Sequence, residues 1–284
     1  MTVDLHAHST ASDGSDSPAE LMRVAAAAGL SSIALTDHDT LDGLAEAQQE
    51  ADRLGLELIP GTEISCEWAA GTMHMVILFL EPGPGPLQDR LAGLQDGRSR
   101  RNEVIVERLQ GLGMDISYDE ILEEAGGGSV GRPHFAGVMV RKGYVADIKS
   151  AFDEYLANGK PGYVGRDRLE PEAAVRLARA SGAVPVVAHP HTLGLNTSEE
   201  FSETYRQLAD WGLAGIECFY GEYDRARQAD LAATVASFGL LPSGGSDYHG
   251  SYKEGLELGT GRGELAVPDS VLADLRSART TPNA

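Results

Sequence analysis

His6 and His8, in Asp4-Leu5-His6-Ala7-His8, are spaced so that both imidazoles leave the same face of an extended segment. Residues of similar chemistry recur wherever an apolar run stops. Asp13 follows in Ser12-Asp13-Gly14, and Thr36-Asp37-His38-Asp39 ends a second run. Gly61-Thr62-Glu63 ends a third, and His74 begins a fourth. Val187-Ala188-His189-Pro190 and Gly245-Ser246-Asp247-Tyr248-His249 finish two more. One such residue by itself is more often a cap, a turn or a satisfied core histidine. Six imidazoles and three carboxylates at five or more strand ends are a different matter, because in one pocket they would be desolvated and mutually repulsive unless cations neutralised them. Nitrogen and oxygen donors without thiolate suit Mn²⁺, Fe²⁺ or Zn²⁺ and disfavour a structural cysteine-type zinc site. Three divalent ions with three or four ligands each would use the whole set if one carboxylate were shared. Such ions polarise esters and activate water near neutral pH.

The elements that must position these residues alternate. Strand-like runs are expected at Thr2–His8, Ser32–Thr36, Glu57–Ile59, Met73–Leu80, Ala183–Ala188, Gly215–Phe219 and Leu240–Ser243. Amphipathic helices are expected between them at Pro18–Ala28, Leu41–Leu54, Pro171–Ser181, Glu199–Trp211 and Tyr223–Phe238. Seven strands alternating with helices predict a parallel sheet closed into a barrel, whose strand ends converge on one mouth. The alternation breaks after Glu81-Pro82-Gly83-Pro84-Gly85-Pro86, where only helices are expected: Leu87–Leu112, Tyr118–Ala125, Pro133–Lys142 and Ile148–Ala157. The reading is a barrel over 1–86 and 161–284 with a helical insertion, 87–160, folded over its mouth.

Composition narrows the class. The 284 residues are 42% hydrophobic and 23% charged, ordinary for a globular enzyme. No apolar run reaches the length of a membrane span, no signal peptide is visible, and two cysteines, Cys66 and Cys218, suggest packing residues in a reducing cytoplasm. The net charge of −20 argues against coating duplex DNA. That charge is uneven: from Arg90 to Arg168 there are 12 Lys+Arg and 12 Asp+Glu, so a neutral, arginine-bearing segment sits in an acidic body.

Taken together, Asp4-Leu5-His6-Ala7-His8-Ser9, Ser12-Asp13-Gly14, Thr36-Asp37-His38-Asp39, Gly61-Thr62-Glu63, Ala188-His189-Pro190 and Gly245-Ser246-Asp247-Tyr248-His249 resemble the polymerase-and-histidinol-phosphatase (PHP) family of phosphoesterases, in the right order from Val3 to His249. The resemblance implies a distorted (β/α)7 TIM-like barrel. It also implies one metal on His6, His8, Glu63 and Asp247, a second on Glu63, His74 and His189, and a third on Asp13, His38 and His249, with Mn²⁺ the preferred ion. Many members carry histidine where this chain has Asp13. That aspartate, with the insertion and its Gly131-Arg132-Pro133-His134 block, looks like the subgroup that dephosphorylates nucleoside 3′,5′-bisphosphates and trims short RNA from the 5′ end.

The expected chemistry is metal-dependent hydrolysis of a nucleotide phosphoester, the substrate being a small nucleotide or short single-stranded RNA. Glu63 would join two metals, and Asp13, His191 or a water would supply the leaving-group proton. Asp13 and His38 at the mouth, with Arg101, Asn102, Arg132 and His134 of the insertion, are the candidate phosphate contacts, since a guanidinium fork matches two phosphate oxygens. Asp4, Asp37 and Asp39 could orient imidazole N–H groups or serve only as turn and cap residues. Three alternatives stay open: a phosphatase for histidinol phosphate or another small monoester, a C–N hydrolase of the amidohydrolase type, and a non-catalytic metal module. Against the second, none of the four lysines, Lys142, Lys149, Lys160 and Lys253, stands at a strand end; against the third, the ligand set is complete.

Overall fold

The computed structural model describes residues 2–126, 130–165 and 167–280. Seven strands form one sheet in chain order: β1 (Thr2–Asp4), β2 (Leu30–Leu35), β3 (Glu57–Cys66), β4 (Met73–Leu78), β5 (Val184–Val187), β6 (Gly215–Tyr220) and β7 (Leu241–Gly245). The ends of the sheet meet. Leu5 N–H donates to Gly244 O at 3.1 Å, Asp247 N–H to His6 O at 2.8 Å and His8 N–H to Tyr248 O at 2.9 Å, which closes the distorted TIM-like barrel. Gly245 is required at this seam, because a Cβ there would lie 2.5 Å from the His6 Cβ and backbone nitrogen.

The expectation of a parallel sheet needs one correction. β4 runs antiparallel to both β3 and β5, whereas all other pairings are parallel. The physical reason is the short connection: Cys66 pairs with Met73, leaving six residues between the strands, too few for a crossover helix. The reversal brings the start of β4, with His74, to the same end of the barrel as the ends of its neighbours.

Helices α1 (Pro18–Ala27), α2 (Leu44–Leu54), α7 (Pro171–Ala180), α8 (Ser198–Asp210) and α9 (Arg225–Ala236) follow the expected pattern. α1 starts with Pro18 at its first turn and the Ser17 hydroxyl accepting from Glu20 N–H. Alternation along β4 divides the core. Val76 and Leu78 pack in a cluster with Val3, Leu5, Ala34 and Ile59, while Met75 and Ile77 join the outer cluster with Ala174 and Tyr205. Each such burial contributes about 1.5–3 kcal/mol. A further helix, α10 (Asp269–Ser277), not expected from the sequence, adds Val271, Leu272 and Leu275 to the first of these clusters.

Between β4 and α7 stand α3 (Pro86–Gly111), α4 (Tyr118–Glu124), α5 (Arg132–Arg141) and α6 (Ile148–Ala151), the last continuing as a π turn over Phe152–Leu156. Ile105, Leu109, Ile121, Phe135, Val138 and Leu156 make a separate apolar cluster. The first turns of α3 belong elsewhere, since Leu87, Leu91 and Leu94 pack in the outer barrel cluster. A buried ion pair, Arg98 Nη2 to Asp39 Oδ2 at 2.5 Å, ties α3 to the loop after β2. No helix among the described residues is long and apolar enough to cross a membrane.

Candidate metal centre

Glu63 stands where β3 meets the extended tail of β2. Its N–H donates to Thr36 O and Asp37 O, its carbonyl accepts from Asp39 N–H, and Thr62 Oγ1 donates to Asp37 O, so the backbone around this carboxylate is fully engaged. The side chain is buried and its two oxygens face different imidazoles. Oε2 lies 3.2 Å from His8 Nε2, 3.4 Å from His6 Nε2 and 3.2 Å from His38 Nδ1. Oε1 lies 2.9 Å from His74 Nδ1 and 3.0 Å from His189 Nε2.

The atoms around Oε2 test whether a cation fits. His6 Nε2 and His8 Nε2 are 3.1 Å apart, and each is 3.5 Å from Asp247 Oδ1. A tetrahedral ion with bonds of about 2.1 Å sets its ligand atoms about 3.4 Å apart, and these edges agree with that spacing. A further group surrounds Asp13, whose Oδ1 is 3.5 Å from His249 Nε2 and 3.7 Å from His8 Nδ1, and whose Oδ2 is 3.7 Å from His38 Nε2. The structure thus brings all nine sequence-identified donors into one pocket, as four overlapping groups of ligand atoms among the described residues.

The residue that orients this set was missed. Glu217, in the middle of β6, puts Oε1 2.9 Å from His6 Nδ1 and accepts His189 N–H on Oε2 at 2.6 Å. A carboxylate flanked by Ile216 and Cys218 inside an apolar strand was the available signal. The three aspartates considered for this role serve other groups. Asp4 accepts the N–H groups of His6, Ser246 and Gly259; Asp37 accepts from Ser9 N–H and the Ser9 and Ser12 hydroxyls; Asp39 pairs with Arg98. They fix the loops that carry the ligands, the cap-like role.

Charge is shared unevenly in the pocket. Burial lowers the His6 and His189 pKa values, yet neighbouring carboxylates, Glu217 foremost for His6 and Glu63 for His189, outweigh it and raise both. Burial and the His249 charge push His8 down to about 3. Burial opposes ionisation of Asp13 and Glu63, but the surrounding imidazoles hold both carboxyls well below their ordinary range. Metal ions require ionised carboxylates and neutral imidazole nitrogens, so an ion bound here would displace the protons that the carboxylates favour on His6 and His189.

The remaining candidates lie around this pocket. His191 Nδ1 is 2.8 Å from the Tyr223 hydroxyl and its ring is 6.1 Å from that of His189. In the insertion, Arg101 donates to Asn102 Oδ1, and Asn102 Nδ2 donates to Val130 O. His134 Nδ1 accepts from Gly131 N–H and so caps α5. A cavity of about 270 Å³ opens between Asp13, His38 and His74 on one side and Arg98, Arg101, Arg132 and Arg168 on the other. Arg132 sits over the rings of Phe152 and Tyr163, 5.8 and 5.5 Å from their centroids. Arg168 was not singled out from the sequence; Leu169 just beyond it bridges to Cys66 of β3, which sets the arginine beside the site.

A second cavity, about 240 Å³, is lined by candidate ligands together with Thr192, Tyr220 and Lys253. Lys253 Nζ contacts Asp247 Oδ2, which also accepts from the Tyr220 hydroxyl at 3.1 Å. The sequence argument that no lysine stands at a strand end needs this addition: Lys253 reaches the mouth from the turn beyond β7, while Glu63 lies between the two sets of imidazoles.

A barrel with this mouth defines a class, and comparison with known proteins agrees. A model of the PHP domain matches residues 4–160, and the chain belongs to that family. It is 33% identical to the 3′,5′-nucleoside bisphosphate phosphatase of Chromobacterium violaceum, over 90% of each chain. It is 34% identical to a 5′-3′ exoribonuclease of Haemophilus influenzae, over 87% of this chain and 89% of the relative. A crystal structure from Bifidobacterium adolescentis, described as a candidate metal-dependent phosphoesterase, superposes with a TM-score of 0.84 at 27% identity, over 98% of this chain and 96% of that one. The protein is a metal-dependent hydrolase of phosphoesters.

Proposed function

We propose that this chain removes the 3′-phosphate from nucleoside 3′,5′-bisphosphates and trims short single-stranded RNA from its 5′ end. The observation that carries this reading is the cavity of four arginines opening onto Asp13, His38 and His74. A simple monoester needs positive charge only at the reacting phosphate. Guanidinium groups set back from the ligand pocket suit a second phosphate on the same molecule, which they would bind in a fork geometry. The named activities of the two relatives support the same substrate class.

The donor set fits three divalent cations, with Mn²⁺ preferred: His6, His8, Glu63 and Asp247 would hold one, Glu63, His74 and His189 a second, and Asp13, His38 and His249 a third. When bound, they supply Lewis-acid polarisation of the ester and water activated near neutral pH. Around them the chain's own groups have distinct tasks. Glu63 keeps two imidazole sets in register through its two oxygens. Glu217 fixes the orientation of the His6 ring. Arg132 and Arg168 bind the second phosphate, and Arg101 is braced by Asn102. Residues 87–160 act as the cover that carries Arg101 and Arg132 and keeps bulk solvent from the reacting ester, while Arg168 comes from the barrel segment just beyond it. The buried thiols of Cys66 and Cys218 fit a reducing cytoplasm.

Phosphate release from Mn²⁺-loaded protein tests the reading, using adenosine 3′,5′-bisphosphate, 5′-phosphorylated short RNA, histidinol phosphate and simple monoesters. The expected kcat/KM for the first two exceeds that for the others by at least about 10²-fold. Arg132→Ala removes most of this preference and leaves simple monoesters unaffected. Equal rates across the panel, or a preference for histidinol phosphate, would overturn the assignment.

A further inference from the structure

Lys253 is the residue at the mouth that neither the ligand set nor the arginine cavity explains. It follows a short turn, Gly250–Tyr252, that leads back over the barrel from His249. The turn is pinned: Ser251 N–H donates to Ser15 Oγ at 2.9 Å, Ser15 N–H donates to His249 O at 3.1 Å, and Tyr248 OH donates to Asp16 Oδ2 at 2.8 Å. Gly250 has φ of +65°, and a Cβ on it would meet Ser15 Oγ at 1.9 Å, so the return path depends on glycine here. The lysine is therefore delivered to its position by a built turn.

Its ammonium contacts Asp247 Oδ2, the oxygen that faces away from His6 and His8. The side chain retains 30% of its exposure, and Lys253 shares the 240 Å³ cavity with Thr192, Tyr220 and candidate ligands. Among the residues lining that cavity it is the sole lysine or arginine. A permanent positive charge next to a pocket that collects divalent cations is unfavourable on its own, and the carboxylates of that cavity that act on it, Asp247 and Glu63, would be shared with those cations. An anion in the cavity removes the conflict. Three N–H donors on Lys253 allow one to remain on Asp247 while another meets an incoming oxygen.

We propose that Lys253 is a catalytic residue that binds a non-bridging oxygen of the reacting phosphate, on the side of the mouth opposite the arginine cavity. This rests on the phosphoester reading above. It assigns the two phosphates of a substrate to different cations, the reacting one to Lys253 and the second to the arginines of the other cavity.

The test combines metal analysis, calorimetric titration with inorganic phosphate and steady-state kinetics on Mn²⁺-loaded wild type, Lys253→Met, Lys253→Arg and Tyr220→Phe. Lys253→Met is expected to keep its metal content, to bind phosphate about 10- to 100-fold more weakly and to lose a similar factor in kcat/KM on every phosphoester, simple monoesters included. Lys253→Arg should recover part of both, and Tyr220→Phe, which removes the other donor to Asp247 Oδ2, should leave phosphate binding near wild type. Unchanged phosphate affinity in Lys253→Met overturns the inference. So does parallel loss of metal in Lys253→Met and Tyr220→Phe, which would make the lysine a support for Asp247. Wild-type protein that hydrolyses no ester yet binds phosphate through Lys253 overturns the proposed function alone.

Discussion

Glu63 shows how one side chain can organise a pocket from residues far apart in the chain. Its oxygens divide five imidazoles into two sets, so charge and position depend on a single buried carboxylate. Glu217 does comparable work one layer out, holding the His6 ring and the backbone of His189. Glu217→Gln keeps the shape and removes the charge. The expected result is metal affinity and kcat/KM each lowered about 10- to 100-fold, with the KM for substrate little changed, measured by metal titration and initial rates. A purely structural role would lower thermal stability without moving the metal titration.

At the scale of elements, the helical insertion has its own apolar cluster around Phe135, while the start of α3 is packed on the barrel. Phe135→Ala is expected to cost about 3–5 kcal/mol. The loss should be local: hydrogen exchange should quicken across 105–156 and stay near wild type in β2, β3 and β5. The activity lost should be that on bisphosphates, since the arginines ride on these helices. Most elements were legible in the sequence because apolar periodicity and proline caps mark them independently of tertiary context, as at Pro18 and Pro171. The nine donors were legible for a related reason, each lying at the end of an apolar run or in the loop beside it. The direction of β4 was not, because period-two alternation is the same whichever way a strand runs. Glu217 and Lys253 were hidden differently: one is a lone acid inside a strand, and the other reaches its place only through a turn whose course no local pattern encodes.

Over the whole molecule, charge follows architecture. The acidic excess lies outside the balanced segment Arg90–Arg168, so the field of the barrel favours cations while that segment sets arginines beside Asp13, His38 and His74. The seam between the two ends of the sheet carries a related consequence. His6 and His8 lie on one side of it and Asp247 and His249 on the other, joined along the backbone by the Leu5–Gly244, His6–Asp247 and His8–Tyr248 hydrogen bonds. Cations held across that line would act as rivets between the beginning and the end of the polypeptide. Chelation should therefore unfasten the cylinder along one edge before it melts elsewhere. Amides of Leu5, His8 and Asp247 should lose protection first, while the β3–β4 hairpin, whose strands are near neighbours in the chain, outlasts them. Loss of protection spread evenly around all seven strands would show that the closure is carried by the apolar interior and owes nothing to the ions.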